Sequence, residues 1–303
     1  LTSPLSKAIF TIFAGGYFFR MSFKYNILIP GILLFFAFSC REGIKDHVKS
    51  GKDISSVTQS ESKKINNLLQ DLDQLKEDGS LRNASLGYMI MDITKSNQKN
   101  IVAESQSTQP MIPASTLKLF VTAPSLEIFG PSIIPEVTVT NQNSVNWRSS
   151  KLLRRIGGKL YNHNTKDAGV QAILEFWKAK GLDTKGMYLD DGNGLSRNNA
   201  VSPKQLVDAL YIMTNSNYFL PFYESLPIAG LTGTLHKAMK GTAAEGRVRA
   251  KTGTIAGVKS FAGYVKSISG RELVFAIIVN DYTCRTKLIK KKLEAILVKM
   301  AEM

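Results

Sequence analysis

The sequence predicts an α+β fold in which an antiparallel sheet lies between helical layers. Three observations point to it. Two short runs rich in strand formers, 86–93 and 101–103, stand near the start of the folded part; helix-periodic segments fill the middle; and three more strand-like runs precede a closing amphipathic helix. The chain has 303 residues, 44% hydrophobic and 21% charged, which suits one or two globular domains.

Taken in order, the chain opens on Leu1, and its first methionine is Met21. Lys24, the apolar run 27–38 and Ser39-Cys40 follow, the layout of a secretory signal with a short basic segment, an apolar core and a small residue at the cut. Residues 1–20 therefore read as a non-native upstream extension and 21–40 as an export signal. The apolar run falls short of the roughly 20 residues of a membrane span. Residues 41–60 are polar and aperiodic and read as a tether, so the folded domain is expected over 61–303. Ile65, Leu68, Leu69, Leu72 and Leu75 keep helical spacing, and a hairpin of 86–93 with 101–103 comes next. The run 115–129 is expected to be helical, with Pro124 kinking or shortening it. Helices are expected at 147–156, 168–180 and 203–213, the last with Ser202 as cap and Pro203 at its first position. Strands are expected at 247–251, 261–267 and 273–280, a turn at 253–257, and a basic helix at 287–300. Cys284, the only cysteine besides Cys40, reads as a buried inert thiol, and no disulfide framework exists.

Chemistry enters at Ser115-x-x-Lys118. Residues three apart share a helix face, and a serine in a helix's first turn meets free N–H groups and the positive end of the dipole. A desolvated lysine of lowered pKa can take the serine proton. Alone this spacing is cheap, since Ser60-x-x-Lys63 shares it in a charged setting. Two further signals follow in order. Ser196-Arg197-Asn198 lies in a loop dense in Gly, Asp and Asn, and Lys251-Thr252-Gly253 ends a strand. Ser144-Val145-Asn146 also satisfies Ser-x-Asn, whereas Lys-Thr-Gly occurs once. The ordered trio is the signature of penicillin-binding proteins and serine β-lactamases. Asp190 and Asp191 read as organisers of their loop, and His47, His163 and His236 have no ligand spacing.

The wording narrows this further. Pro-Ala-Ser-Thr-Leu-Lys at 113–118, Asp-Gly-Asn-Gly-Leu-Ser-Arg-Asn-Asn at 191–199 and Ala-Lys-Thr-Gly-Thr at 250–254 resemble the D-alanyl-D-alanine carboxypeptidase/endopeptidase family typified by penicillin-binding protein 4. The resemblance runs from about Ser85 through Asn280. It implies a β-lactamase/transpeptidase-like fold and an acyl-enzyme on Ser115, with Lys118 as base. Ser196 would relay a proton to the leaving amine, and Asn198 would orient Lys118 and the substrate amide. Lys251 and Thr252 would bind the terminal carboxylate, and Gly253 would let the ligand lie along the strand edge. The backbone N–H groups of Ser115 and Thr254 would hold the oxyanion. Peptidoglycan stem peptides are the implied substrates, β-lactams the implied inhibitors, and no cofactor or metal is needed.

The sequence departs from the family in one place. Family members usually carry a large insertion between the Ser-x-x-Lys helix and the Ser-x-Asn loop, whereas Lys118 and Ser196 are here only 78 positions apart. Two other functions compete: a serine β-lactamase, for which no convincing deacylating glutamate is found, and a non-catalytic peptidoglycan-binding relic. Net charge is +15 over the chain; residues 1–40 hold Lys7, Arg20 and Lys24 and no acid, so +12 remains without them. That excess suits an anionic envelope polymer, and no aromatic-basic pattern points to nucleic acid. An exported, periplasmic location is expected, with Cys40 in a lipoprotein-like Ala-Phe-Ser-Cys setting as a lipid anchor.

Overall fold

The computed structural model describes residues 10–14, 17–21, 51–95 and 99–303. They fall into two compact units, one within residues 1–49 and one spanning 50–303. In the first, β1 (Phe10–Ala14) and β2 (Tyr17–Met21) pair antiparallel. The rest of the expected signal, including Cys40, and tether residues 41–50 lie outside the described residues.

The second unit opens with α1 (Gly51–Glu77), which starts ten residues before the expected domain boundary at Glu61. The expectation of a tether through residue 60 is corrected to that extent. No Gly or Pro interrupts residues 52–78, so the helix nucleated by the buried Leu68, Leu72 and Leu75 runs on through the polar stretch before it.

β3 (Ser85–Asp92), β4 (Asn100–Ser105), β5 (Val248–Ile255), β6 (Val258–Lys266) and β7 (Glu272–Asn280) form one five-stranded antiparallel sheet in the order β4-β3-β7-β6-β5. β3, β6 and β7 are buried along nearly their whole length, which demands a cover on both faces. Alternation along β7 divides the cores: Phe275 and Ile277 pack with Leu68, Leu72 and Leu293 beneath α1 and α8 (Thr286–Glu302), while Ala276 and Ile278 face Met89, Phe120 and Leu206. The second face carries α2 (Leu119–Phe129), α3 (Ile134–Asn143), α4 (Asn146–Tyr161), α5 (Lys166–Ala179), α6 (Pro203–Thr214) and α7 (Phe219–Ser225). The α+β sandwich expected from the sequence is the fold.

Local differences have local causes. α3 is rich in β-branched residues with low helix propensity; burial of Val137, Thr140 and Asn141 overrides it. Pro124 lies inside α2, which is not shortened there but continues to Phe129. A proline at 124 cannot donate to the carbonyl of Phe120. The indole Nε1–H of the buried Trp177 donates to that carbonyl instead, at 3.0 Å. β5 passes straight through Gly253 to Ile255, so the turn is confined to Ala256 and Gly257. Cys284 is a free thiol, half-buried rather than buried.

Candidate active site

Ser115 sits in a 3-10 turn, Ala114–Lys118, that leads into α2. Three groups fix this turn against the sheet. Asn280 at the end of β7 clamps Ile112, accepting its N–H at 2.8 Å and donating to its C=O at 3.0 Å. The carbonyl of Pro113 accepts from Ser260 Oγ at 2.6 Å and Thr116 Oγ1 at 2.7 Å. Ala114, just before the serine, is held at φ 48°, a conformation that costs a residue with a Cβ about 1 kcal/mol or more.

Lys118 is fully buried, and its Nζ donates to Ser115 Oγ at 2.9 Å, to Asn146 Oδ1 at 2.8 Å and to the carbonyl of Asn193. Burial pulls its pKa down from the usual lysine value to about 8, against the opposing pull of the Asp191 carboxylate. The three acceptors define what the neutral amine does. Two of them, the Asn146 and Asn193 oxygens, can only accept and take both remaining N–H groups, which leaves the lone pair aimed at the Ser115 hydroxyl.

Lys251, on β5, is also fully buried and donates to Ser144 Oγ at 2.8 Å and to the carbonyl of Thr252 at 2.9 Å. Desolvation, then the nearby charges of Lys118 and Lys259, hold its pKa well below normal. No acid forms an ion pair with Lys251 among the described residues, so this buried nitrogen has no carboxylate partner of its own there.

The structure does not bring the residues expected at Ser-x-Asn to the two lysines. Ser196 and Asn198 do not reach Lys118 or Lys251. Ser196 accepts a hydrogen bond from the Asn198 backbone N–H at 3.1 Å and is bonded to Asp190, and Asn198 is exposed. Ser144 and Asn146 occupy those places, Ser144 as the left-handed C-cap of α3 at φ 54° and Asn146 as the first residue of α4. The 190–199 loop still contributes, through its main chain. Asp191 accepts from the N–H groups of Asn193 at 3.0 Å, Gly194 at 2.6 Å and Ser196 at 2.9 Å, and from Asn199 Nδ2 at 3.0 Å. This carboxylate holds the Asn193 carbonyl on Lys118, in keeping with the loop-organising role expected for it.

Gly253 also differs from expectation. A Cβ there would lie 2.8 Å from the Pro113 carbonyl and 3.0 Å from the Ser115 nitrogen, so the missing side chain admits the Ser115 turn rather than a ligand. Thr252 Oγ1 meets Thr234 Oγ1 at 3.1 Å, and Thr254 Oγ1 accepts from Lys259 Nζ at 2.6 Å. β5 is an edge strand whose Val248 carbonyl and Ala250 N–H face away from β6, bonded to Ala229 and Pro227. Direction alternates residue by residue, so the N–H and C=O of Thr252 and Thr254 face the same outer edge.

Two stretches of this chain, residues 68–138 and 135–302, match the model of the D-Ala-D-Ala carboxypeptidase 3 (S13) family. The chain belongs to that family. The two stretches of the S13 match meet within α3, between the serine turn and Ser144. A D-alanyl-D-alanine carboxypeptidase of Actinomadura sp. is 39% identical over 164 residues, covering 52% of this chain and 30% of the relative. The D-alanyl-D-alanine carboxypeptidase DacB of Haemophilus influenzae is 26% identical over 156 residues, covering 50% of this chain and 32% of its own. This S13 chain thus aligns with about a third of the length of these curated relatives. Among solved structures, penicillin-binding protein 4 (dacB) of Haemophilus influenzae superposes with a TM-score of 0.67 at 13% identity, covering 79% of this chain and 99% of that one. A class A β-lactamase from Bacteroides cellulosilyticus superposes at 0.61 with 16% identity, covering 79% and 99%. The S13 chain therefore has the β-lactamase/transpeptidase-like fold.

Proposed function

We propose that the protein is a penicillin-binding serine carboxypeptidase/endopeptidase that cleaves peptidoglycan stem peptides ending in D-Ala-D-Ala through an acyl-enzyme on Ser115. The single observation that carries this is the three-acceptor cradle of Lys118, which turns the neutral lysine's lone pair onto the Ser115 hydroxyl. Lys118 removes the proton as Ser115 Oγ attacks the carbonyl of the penultimate residue. The N–H groups of Ser115 and Thr254 hold the oxyanion, and Lys251 with Thr252 and Ser144 receives the terminal carboxylate. Ser144 Oγ, which already accepts from Lys251, gives its proton to the leaving amine as the C–N bond breaks and takes one from Lys251; water then attacks the ester, returning one proton to Lys251, while Lys118 gives its proton back to Ser115 Oγ as the acyl group leaves as the acid. Asn146 fixes Lys118 and faces the substrate amide.

Two features speak against a β-lactamase. Glu224 on α7 is exposed, and the Asp191 carboxylate is filled by its own loop, so neither is free to activate water at the ester. The export signal at 21–40, acylation of Cys40 and a place in the bacterial envelope belong to the same reading. They are checked by the intact mass of protein recovered from membranes.

The test of the catalytic reading is mass spectrometry after exposure to a fluorescent penicillin. A long-lived adduct on Ser115, absent in Ser115→Ala, is expected. Rapid adduct loss with drug hydrolysis would make the protein a β-lactamase, and a folded wild type that takes no label would make it a non-catalytic binder.

A further inference from the structure

α4 carries five cations over 16 residues, Arg148, Lys151, Arg154, Arg155 and Lys159, and no acid. Its buried side is Ser149, Leu152, Leu153 and Ile156. Helical spacing places Trp147, Lys151 and Arg154 along the opposite line, with Arg148, Arg155 and Lys159 beside it. The stripe is about 18 Å long at 1.5 Å per residue.

The pairing of these cations is uneven. Arg155 is bonded to Glu136 at 2.7 Å, and Arg148 rests over the Trp147 ring at 4.7 Å. Lys151, Arg154 and Lys159 are exposed and have no ion pair among the described residues. The stripe begins at the site itself: Asn146, which holds Lys118, is followed directly by Trp147, 60% exposed. A row of unneutralised charge this close to a nucleophile raises the local concentration of anionic chains and aligns them with it.

We propose that the outward face of α4 holds a carboxylate-bearing peptidoglycan strand and brings its stem peptides to Ser115; this rests on the peptidase reading above. Peptide carboxylates spaced along the strand lie against Lys151, Arg154 and Lys159, and Trp147 with its stacked Arg148 forms the apolar end nearest the reacting bond. The surface is a docking stripe for polymer and takes no part in the chemistry.

The experiment compares the full chain with its K151Q/R154Q/K159Q variant in co-sedimentation with purified peptidoglycan sacculi, beside acylation by a soluble penicillin. Expected is a loss of sacculus binding of about fivefold or more in the variant, and a similar loss for wild type when salt rises from 0.1 to about 0.5 M, with acylation unchanged. These side chains are exposed, so folding is not at stake, and the unchanged acylation verifies it. Equal binding of variant and wild type to sacculi would overturn the proposal. So would wild-type binding to phosphatidylglycerol vesicles that is as strong as to sacculi and is lost in the variant, because the stripe would then be a membrane contact. Sacculus binding intact in a wild type that no penicillin acylates would instead sink the peptidase reading and leave the docking surface standing.

Discussion

Lys251 Nζ lies 2.8 Å from Ser144 Oγ, a bond that joins the edge strand of the sheet to the C-terminal end of α3. With Asn146 on Lys118, Ser144-Val145-Asn146 touches both buried lysines. Ser144→Ala and Asn146→Ala should each slow acylation by about 100-fold or more, the usual cost of removing a group that acts in the transition state. Ser196→Ala and Asn198→Ala should stay within about threefold of wild type. Second-order labelling rates with a fluorescent penicillin check both halves, and the reverse ranking would restore the sequence-based choice.

Acylation should rise with pH. Lys118 acts as a base only when neutral, and burial brings its pKa to about 8, so the labelling rate should climb about tenfold per pH unit below that value and level off above it. A rate flat between pH 6 and 9 would remove Lys118 from the role of base.

Lys259 offers a test by stability. Buried on β6, with its Nζ 4.8 Å from the Phe261 ring, it faces Lys290 and Glu294 of α8 and has its pKa lowered to about 8 by desolvation first and Lys290 next. Between pH 8 and the ordinary value of 10.5 the unfolded chain holds a proton that the folded chain lacks, so stability rises with pH across that window. Lys259→Met should raise stability at pH 7 by about 1–2 kcal/mol and flatten the rise. Melting temperatures from pH 7 to 10 measure it, with the Lys118 contribution remaining in both proteins.

Gly194 should tolerate no side chain. At φ +83° it lies against the backbone of Ala114 and would put a Cβ 3.0 Å from the Ser115 nitrogen. Gly194→Ala should cost about 2–4 kcal/mol and displace the Asn193 carbonyl from Lys118, lowering acylation more than binding of a non-reactive peptide. Denaturant unfolding with labelling kinetics separates the two effects.

Much of this molecule is legible in its residues. The buried Leu68, Leu72 and Leu75 announce α1, and Ser202 and Pro203 announce α6, where Ser202 also forms a capping box with Gln205. Ser115 and Lys118, singled out by their spacing, lie 2.9 Å apart. What spacing does not reveal is which Ser-x-Asn reaches the lysine. Two candidates stood in the chain, and the one in the Gly-rich loop looked more like a site because turn residues and catalytic residues are the same types. The deciding signal was weak but present. Ser144-Val145-Asn146 stands directly before a strongly amphipathic helix, where a side chain can be held on rigid backbone, whereas Ser196 and Asn198 sit where Asp190 and Asp191 absorb the local hydrogen bonds. Main-chain contributors such as the Asn193 carbonyl leave no mark in side-chain chemistry, and neither does the parity that turns Thr252 and Thr254 outward.

That parity has a last consequence. Residues 227–229 cover the first part of the outer margin of β5, and the segment from Lys251 to Ile255 is left over. A peptide laid along that margin would add as a sixth strand and be recognised through its own amides more than through its side chains. The sheet thus keeps an open seam of main-chain donors and acceptors beside the Ser115 turn.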